Sequence, residues 1–446
     1  MKNIFPALAA LFLVSSCSIN RQIAKQAKPL LQDSAVSTGH IGVCIYEPAT
    51  GKYWYNYNST HYFIPASNTK LFTLYAGMKY LGDSLVGLRY EMPADNYTIF
   101  SATGDPTFLH PDFKNQPAFA FLQKAVNPAL VTGYNTGFSP FGKGWALDDY
   151  QSDYAAERSE MPVYGNLTTF YLQNDTVSVR PHFFYNSSLH WLNNVLLNNT
   201  KPQFIITRRF EDNFFHGLSK KGPKFVVQQI PYKTVLVDSI GNSDPVFLKL
   251  LEDTLHKVVS IAGTLDGKVI PKNIIHSQPS DSLFKPMMHR SDNFFAEQTL
   301  LMASNEYLGY MSDEKMIDTI LKTTLKDAPQ KPKWVDGSGL SRYNLFTPAD
   351  FVYILNKMKD EFGMNRMKTI LATGGEGTIS SYYKKEAGYI YAKTGTLSNN
   401  CALSGYLFTQ KGKLLIFSVL NNNYISGATP VRRAVERFLE SIQQKF

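Results

Sequence analysis

The chain has 446 residues, of which 44% are hydrophobic and 18% are charged, and its formal net charge is +9. The length exceeds that of one average domain and the composition is that of a folded globular protein, so two or more domains are expected. The positive charge raises the question of a nucleic-acid role, but the sequence contains no block of basic residues and no recognition motif, which excludes a nucleic-acid partner from our expectations.

The first seventeen residues have the pattern of an export signal. Lys2 precedes an apolar run over residues 4–14 that is too short to span a bilayer, and small residues then lead to Cys17. The box VSSC resembles the bacterial lipoprotein cleavage site. We therefore predict a lipoprotein signal over residues 1–17, lipidation at Cys17, a periplasmic location and a membrane contact through the lipid. Ser18 favours the outer membrane, and a plain secretory signal is the alternative.

The next elements alternate between helix and strand. Residues 19–32 have the apolar spacing of a helix. Residues 40–58 predict a strand, a turn that contains Pro and Gly, and a second strand. A helix that carries Lys70 follows, and its apolar stripe consists of Leu71, Leu74, Met78 and Leu81.

The middle of the chain, residues 88–272, differs from both ends. It is rich in Tyr, Phe and Asn, and it contains short alternating runs such as TVSVRPHFFY with turn signals between them. It shows no long helical pattern, no repeat and no low-complexity linker. We expect an inserted region that is mostly β.

The C-terminal part supplies strands and a helix, as the N-terminal part does. YIYAKTGT predicts a strand, residues 401–424 predict a hairpin that turns at Lys411 and Gly412, and residues 429–446 predict an amphipathic helix. Two chain ends of this kind can build one layered domain between them.

Three short motifs stand in order along the chain. Ser-x-x-Lys occurs four times, but only Ser67 and Lys70 are followed by a strongly apolar helical stripe. Ser-Asp-Asn at residues 291–293 lies in a break between two predicted helical segments, and Lys-Thr-Gly at residues 393–395 occurs once, at the end of a predicted strand. This ordered set is the signature of penicillin-binding proteins and class A β-lactamases.

Four stretches carry a sharper resemblance: IPASNTKLFT, RSDNFFAEQ, VDGSGLSRYN and AKTGTLSN. Together they resemble the class C low-molecular-mass penicillin-binding proteins, the D-alanyl-D-alanine carboxypeptidase and endopeptidase family typified by penicillin-binding protein 4. SATGDPTF and GWALDDY echo weaker family patterns, although the SAT before Gly104 departs from them. DGSGLS is expected to be a structural turn near the site. Arg342 after it is expected to lie on the surface, and contact with an acidic group of a stem peptide is the alternative.

The resemblance implies the fold and the domain boundaries. It implies an α+β transpeptidase domain of the penicillin-binding and serine β-lactamase kind, in which helices flank an antiparallel sheet and form a helical subdomain. Residues 18–87 and 273–446 would form this catalytic domain. Residues 88–272 would form the mostly β insert that the family places between the first two motifs.

The resemblance also implies a role for each motif residue. Ser291 passes a proton toward the leaving amine, and Asn293 donates to the amide carbonyl of the substrate. The substrate's terminal carboxylate is bound by the third motif, which comprises Lys393, Thr394, Gly395 and Thr396. The backbone N–H groups of Ser67 and Thr396 form the oxyanion hole. The nine histidines show no metal-ligand spacing, so neither a metal nor another cofactor is expected.

Lys70 is predicted to be the base that activates Ser67. A serine hydroxyl is a weak nucleophile, and residues i and i+3 of a helix share a face. An ordinary lysine, with a pKa of about 10.4, is neutral in about one molecule in a thousand near pH 7.4, a penalty of roughly 4 kcal/mol. Burial and a nearby like charge both lower the pKa of a lysine, and Lys393 can supply that charge.

The expected function is hydrolysis of D-Ala-D-Ala termini or of D-alanyl cross-links in peptidoglycan. Stem peptides are the expected substrates, Ser67 forms the acyl-enzyme, and β-lactam antibiotics are the expected covalent inhibitors. A serine β-lactamase stays open as an alternative, although it needs efficient deacylation and the long insert is out of character. A tethered, non-catalytic β-lactam or cell-wall receptor is the third possibility, but such a protein would usually have lost a motif residue.

Overall fold

The structure is a computed structural model that describes residues 5–94, 96–131, 137–173, 176–185, 204–219, 225–237, 243–262 and 271–446, with side chains of the first helix from Ile19 onward. The helices of this described part are α1 (Phe5–Gln32), α2 (Lys70–Tyr80), α3 (Pro117–Lys124), α4 (Val246–Leu255), α5 (Ser280–His289), α6 (Asn293–Leu308), α7 (Asp313–Lys322), α8 (Pro348–Phe362), α9 (Met364–Ile370) and α10 (Ala428–Lys445). Its strands are β1 (His40–Glu47), β2 (Lys52–Tyr57), β3 (Ser84–Ala94), β4 (Tyr97–Ser101), β5 (Pro128–Val131), β6 (Leu167–Gln173), β7 (Thr176–Arg180), β8 (Phe204–Arg208), β9 (Phe215–Ser219), β10 (Phe225–Pro231), β11 (Val235–Val237), β12 (Ser243–Pro245), β13 (Ser260–Ala262), β14 (Asn273–Pro279), β15 (Ala372–Thr373), β16 (Ile390–Leu397), β17 (Asn400–Phe408) and β18 (Leu414–Asn422).

The chain forms two compact units. The first comprises Met1–Tyr75, Phe284–Asp292 and Ile317–Phe446, and the second comprises Ala76–Leu283 and Asn293–Met316. The boundaries of these compact units differ from residues 88 and 272, the predicted limits of the insert. The limits of the insert stay a prediction.

The first unit contains a six-stranded sheet with the order β15-β16-β17-β18-β1-β2, in which all neighbouring strands are antiparallel. Successive side chains of a strand point to opposite faces. Val43 therefore joins the core formed with α1 and α10, while a Cβ at Gly42 would lie 2.9 Å from Pro348 at the start of α8. Helices cover both faces, which confirms the predicted α+β class with an antiparallel sheet flanked by helices.

The two terminal helices share one apolar core. In α1, Ile23, Ala27 and Leu30 follow helical spacing and are buried. They belong to the same core as the stripe of α10, which consists of Val431, Ala434, Val435, Phe438, Leu439 and Ile442. The helices predicted over residues 19–32 and 429–446 are therefore confirmed.

The side chains of the predicted signal segment, residues 1–17, lie outside the described part of the structure. Residues 1–4 are not described, and the backbone of residues 5–17 continues α1 toward the N-terminus. Cys17 lies in this stretch, and its side chain is outside the described part. None of the described helices combines the length and the hydrophobicity that a membrane-spanning helix needs.

Both predicted hairpins of the first unit are confirmed. The strands β1 and β2 pair as expected from residues 40–58. The strands β17 and β18 pair over their full length, and Gly412 in their turn has a φ of +76°, a left-handed conformation that glycine adopts without a Cβ clash.

The second unit is built mainly from short strands. It contains a five-stranded sheet with the order β13-β5-β4-β3-β14, a three-stranded sheet with the order β10-β6-β7, and the pairs β11-β12 and β8-β9. Two short helices in the described part of residues 88–272, α3 and α4, were not foreseen. In α4, Phe247, Leu250 and Leu251 are buried, but ten residues are too few to stand out from the neighbouring strand signals.

Candidate active site

Ser67 lies in a single 3-10 turn, Ala66–Thr69, that leads into α2. We predicted that Ser67 and Lys70 share a face of one α-helix, and the structure instead places the pair across the junction between the turn and α2. Residues i and i+3 are eclipsed in a 3-10 turn, so the alignment is kept and Lys70 Nζ lies 3.0 Å from Ser67 Oγ. The residue in the cap position before this turn is Pro65, so Ser67 is not the helix cap.

The turn before the nucleophile has a strained backbone. Ala66 has a φ of +48°, a left-handed conformation that costs an alanine about 1–2 kcal/mol. The carbonyl of Ala66 accepts a hydrogen bond from Thr69 Oγ1 at 2.9 Å. A Cβ at Gly339 would lie only 2.0 Å from the same carbonyl oxygen, so only glycine allows this close approach.

The buried Lys70 amine is held by the DGSGLS loop. Its Nζ donates to the backbone carbonyl of Ser338 at 2.7 Å. The Asp336 carboxylate orders the loop by accepting hydrogen bonds from the backbone of Gly339 at 2.8 Å and of Ser341 at 2.7 Å. The loop is therefore a structural turn, as expected, and it also positions the base.

The second and third motifs meet through Lys393. This side chain is fully buried, and its Nζ donates to Ser291 Oγ at 2.8 Å and to the backbone carbonyl of Thr394 at 2.7 Å. Burial, together with the positive charges of Lys70 and Arg432, lowers the pKa of Lys393 well below its usual value. The structure brings Ser67, Lys70, Ser291 and Lys393 into one cluster.

Ser291 lies in the predicted break between helical segments, after α5 ends at His289 and before α6 begins at Asn293. Its φ is +62°, a conformation that is rare outside glycine and that concentrates at functional sites. This backbone geometry accompanies the hydrogen bond between Ser291 Oγ and Lys393.

The glycine of Lys-Thr-Gly allows β16 to approach the nucleophile turn. A Cβ at Gly395 would lie 2.4 Å from the carbonyl oxygen of Pro65 and 2.9 Å from the backbone nitrogen of Asn68. The buried side chain of Asn68 ties the two segments together, because its Nδ2 donates to the carbonyl of Lys393 at 2.9 Å. Gly395 therefore contributes through the absence of a side chain.

The two threonines of the third motif contact residues that the sequence did not single out. Thr394 Oγ1 donates to Thr378 Oγ1 at 2.7 Å. Arg432 Nη2, on α10, donates to Thr396 Oγ1 at 2.6 Å. That these two threonines bind a substrate carboxylate stays a prediction.

Comparison with known proteins gives the family. The D-Ala-D-Ala carboxypeptidase 3 (S13) family matches residues 23–178 and 246–442, which is more than half of the chain. The chain belongs to the S13 family.

Curated relatives of this S13 chain agree with that assignment. D-alanyl-D-alanine carboxypeptidase DacB of Haemophilus influenzae is 28% identical over 169 residues, which cover 36% of the chain and 35% of the relative. The D-alanyl-D-alanine carboxypeptidase of Actinomadura sp. strain R39 is 24% identical over 92% of the chain and 82% of its own length. The chain thus spans about a third of the Haemophilus relative and most of the Actinomadura one.

The fold agrees with a solved structure. The crystal structure of penicillin-binding protein 4 from Haemophilus influenzae matches with a TM-score of 0.67 at 20% identity, covering 94% of this chain and 98% of that one. A second structure of that protein, complexed with a β-lactam, matches with a TM-score of 0.63 at 18% identity. These likenesses show a penicillin-binding protein fold, as the sequence predicted.

Asn293 of this S13 family member belongs to a different compact unit from the four-residue cluster. It is the first residue of α6, in the second compact unit, and its Nδ2 donates to the backbone carbonyl of Tyr154 at 2.9 Å within that unit. Its role toward the substrate stays a prediction. Arg342 is exposed and donates to the carbonyl of Ser398 at 3.3 Å.

Three site residues were missed by sequence reasoning. Asn68 follows the nucleophile directly, and that position was a usable signal. Thr378 follows the glycine-rich stretch GGEG, which marks a special loop without indicating its neighbour. Arg432 lies on an amphipathic helix 36 residues after Thr396, where no local pattern indicates a contact.

Proposed function

We propose that this S13 chain is a serine DD-peptidase that hydrolyses D-Ala-D-Ala termini and D-alanyl cross-links of peptidoglycan stem peptides. The observation that carries the proposal is the 3.0 Å separation between the buried Lys70 amine and Ser67 Oγ. Family membership and relatives named as D-alanyl-D-alanine carboxypeptidases support the choice of substrate. The structure of the Haemophilus protein in complex with a β-lactam supports β-lactams as inhibitors.

Acylation uses Ser67 and Lys70. The neutral amine of Lys70 takes the proton from Ser67 Oγ while that oxygen attacks the carbonyl carbon of the penultimate D-Ala. Backbone N–H groups of Ser67 and Thr396 stabilise the negative charge on the carbonyl oxygen. Ser291, hydrogen-bonded to Lys393, gives its hydroxyl proton to the leaving amine as the C–N bond breaks, and the proton that Lys70 took from Ser67 restores the Ser291 hydroxyl. An ester of Ser67 and free D-Ala result.

Deacylation completes the hydrolysis. A water molecule attacks the ester carbonyl and gives one proton to a base, which passes it to Ser67 Oγ as the ester C–O bond breaks and the shortened peptide leaves. A cross-link is cut in the same way, with the amine of the neighbouring stem peptide as the leaving group. A β-lactam keeps its leaving amine attached, so it forms a long-lived ester on the same serine.

Three readouts on purified protein test this function. We expect D-Ala release from a muropeptide that ends in D-Ala-D-Ala, monomer release from a cross-linked muropeptide, and a persistent label with fluorescent penicillin. Rapid turnover of penicillin without peptide cleavage would instead indicate a β-lactamase. Labelling without cleavage of either peptide would indicate a receptor, and absence of labelling would contradict the proposed chemistry.

We further propose that the chain is exported to the periplasm and lipidated at Cys17, with the lipid in the outer membrane. The charged start, the short apolar run and the VSSC box support this proposal. Ile23 is the first fully buried residue of α1 in the described part. Cleavage before Cys17 therefore removes no side chain of the described core.

Metabolic labelling with palmitate tests the anchor. The full-length chain, produced in a bacterium with lipoprotein processing, is expected to incorporate the label and to fractionate with the outer membrane, whereas Cys17→Ala loses the label. Cys44→Ala is the matched control, because Cys44 is a buried free cysteine of β1 and its loss leaves the label in place. Label retained in Cys17→Ala would contradict the anchor.

A further inference from the structure

Arg432 lies beside the strand end that carries the third motif. Its Nη2 donates to Thr396 Oγ1 at 2.6 Å, and its guanidinium carbon lies 5.8 Å from the centre of the Tyr382 ring. A guanidinium that stacks on an aromatic ring and bonds a neighbouring hydroxyl is oriented before any ligand arrives. Arg432 therefore presents a fixed positive charge at Thr396.

This charge has no acidic partner in the described part of the chain. The next residue, Arg433, stacks on the same Tyr382 ring but pairs with the Glu436 carboxylate at 2.5 Å. No carboxylate pairs with Arg432 among the described residues, and its buried Nε lacks a hydrogen-bond partner there. A half-buried arginine without a carboxylate leaves strong hydrogen-bonding capacity unused.

Space and further polar atoms lie next to the guanidinium. Thr394, Cys401, Asn421 and Arg432 line a small, partly open pocket whose other lining side chains are apolar. The Asn421 side chain is 1% exposed, and neither its oxygen nor its nitrogen has a hydrogen-bond partner among the described residues. Asn421 and Cys401 are paired across β17 and β18, and Cys401 is paired with Thr396 across β16 and β17, so the three lie in one row on the same face of the sheet.

We infer that Arg432 is a specificity-determining residue that binds, together with Thr396, the free carboxylate of the residue leaving the substrate. This inference rests on the proposed function. The planar guanidinium fork can keep one N–H on Thr396 Oγ1 and direct others to a carboxylate in a charge-assisted hydrogen bond. Substrates with a free α-carboxylate on the leaving residue are therefore preferred over substrates in which that carboxylate is an amide.

The test compares two peptides that differ only at the terminus. One ends in D-Ala-D-Ala with a free carboxylate, and the other ends in D-Ala-D-Ala carboxamide; kcat/KM is measured for both. In Arg432→Gln the ratio of acid to amide kcat/KM falls about tenfold to a hundredfold, the range for one hydrogen bond to a charged group. Arg432→Lys, which keeps the charge without the fork, recovers part of the ratio.

Arg433→Gln is the matched control, because it removes an adjacent arginine that stacks on the same ring but contacts no third-motif residue in the described structure. In Arg433→Gln the ratio of kcat/KM for the acid peptide to kcat/KM for the amide peptide is expected to equal that of the wild type. Equal losses on both peptides in Arg432→Gln and in Arg432→Lys would show that Arg432 only supports the fold, and would overturn the inference while the proposed function stands. A wild type that cleaves neither peptide overturns the proposed function and the inference with it.

Discussion

Ser67→Ala is expected to abolish covalent labelling by penicillin and to lower peptide hydrolysis on the order of 10⁴- to 10⁶-fold, as loss of a nucleophile does in other serine hydrolases. The substitution removes one oxygen from a half-buried side chain, and the strained turn at Ala66 and the hydrogen bonds of Lys70 to the DGSGLS loop do not depend on that oxygen. The fold is therefore retained while the acyl-enzyme cannot form. Labelling with fluorescent penicillin and D-Ala release measure the effect.

A second serine of the chain provides the control for Ser67→Ala. Ser282 also begins a Ser-x-x-Lys sequence, with Lys285, but its side chain is exposed on α5. Ser282→Ala is expected to keep wild-type labelling and hydrolysis. Penicillin labelling that persists in Ser67→Ala but is lost in Ser282→Ala would identify Ser282 as the nucleophile and contradict the assignment of Ser67.

Lys70→Arg and Lys70→Met are expected to slow acylation about 10²- to 10⁴-fold, the usual contribution of a general base. Arginine keeps the positive charge and the hydrogen-bond donors, but it does not lose its proton in proteins, so it cannot accept one from Ser67 Oγ. Methionine removes the amine and roughly keeps the side-chain volume in a fully buried position. The rate of penicillin labelling in excess antibiotic is the measurement.

The pair of variants separates a base from a fixed charge. If Lys70 contributed only positive charge near the oxyanion, Lys70→Arg would retain most of the wild-type rate and only Lys70→Met would lose it. General-base chemistry requires that both variants lose most of the labelling rate while their thermal unfolding temperatures stay close to that of the wild type. Lys79→Arg, at the far end of α2 and on the exposed surface, is the matched control with an unchanged labelling rate.

Local patterns were sufficient to predict the parts of the fold that repeat over several residues. Strand β1 was predicted from the apolar run HIGVCIYE, and α10 was predicted from an apolar stripe that continues over its whole length. The Ser67 and Lys70 pair was predicted because the contact is only three positions long. Their apposition survived a change from α-helix to 3-10 turn, since both conformations place i and i+3 on one side.

The same local patterns could not predict contacts between segments that are distant in the sequence. The approach of Gly395 to Pro65 is fixed by backbone atoms from the two ends of the chain, and a lone glycine in a strand is equally compatible with a bulge. The sequence around Arg432 predicts a position on the solvent-exposed face of a helix. Only the packing of α10 on the sheet brings its side chain to Thr396. The short helix α4 was not predicted for a different reason. Its ten residues give too little helical periodicity to outweigh the neighbouring strand signals.

The central claim is that Ser67 is the acylated nucleophile, and mass spectrometry of the penicillin-treated protein after trypsin digestion tests it most directly. The tryptic peptide Tyr53–Lys70 contains Ser67 and none of the other three Ser-x-x-Lys serines. We predict that this peptide carries the full mass of the antibiotic and that fragmentation assigns the adduct to Ser67. An adduct on another peptide, or an unmodified Tyr53–Lys70 after complete labelling, would contradict the account.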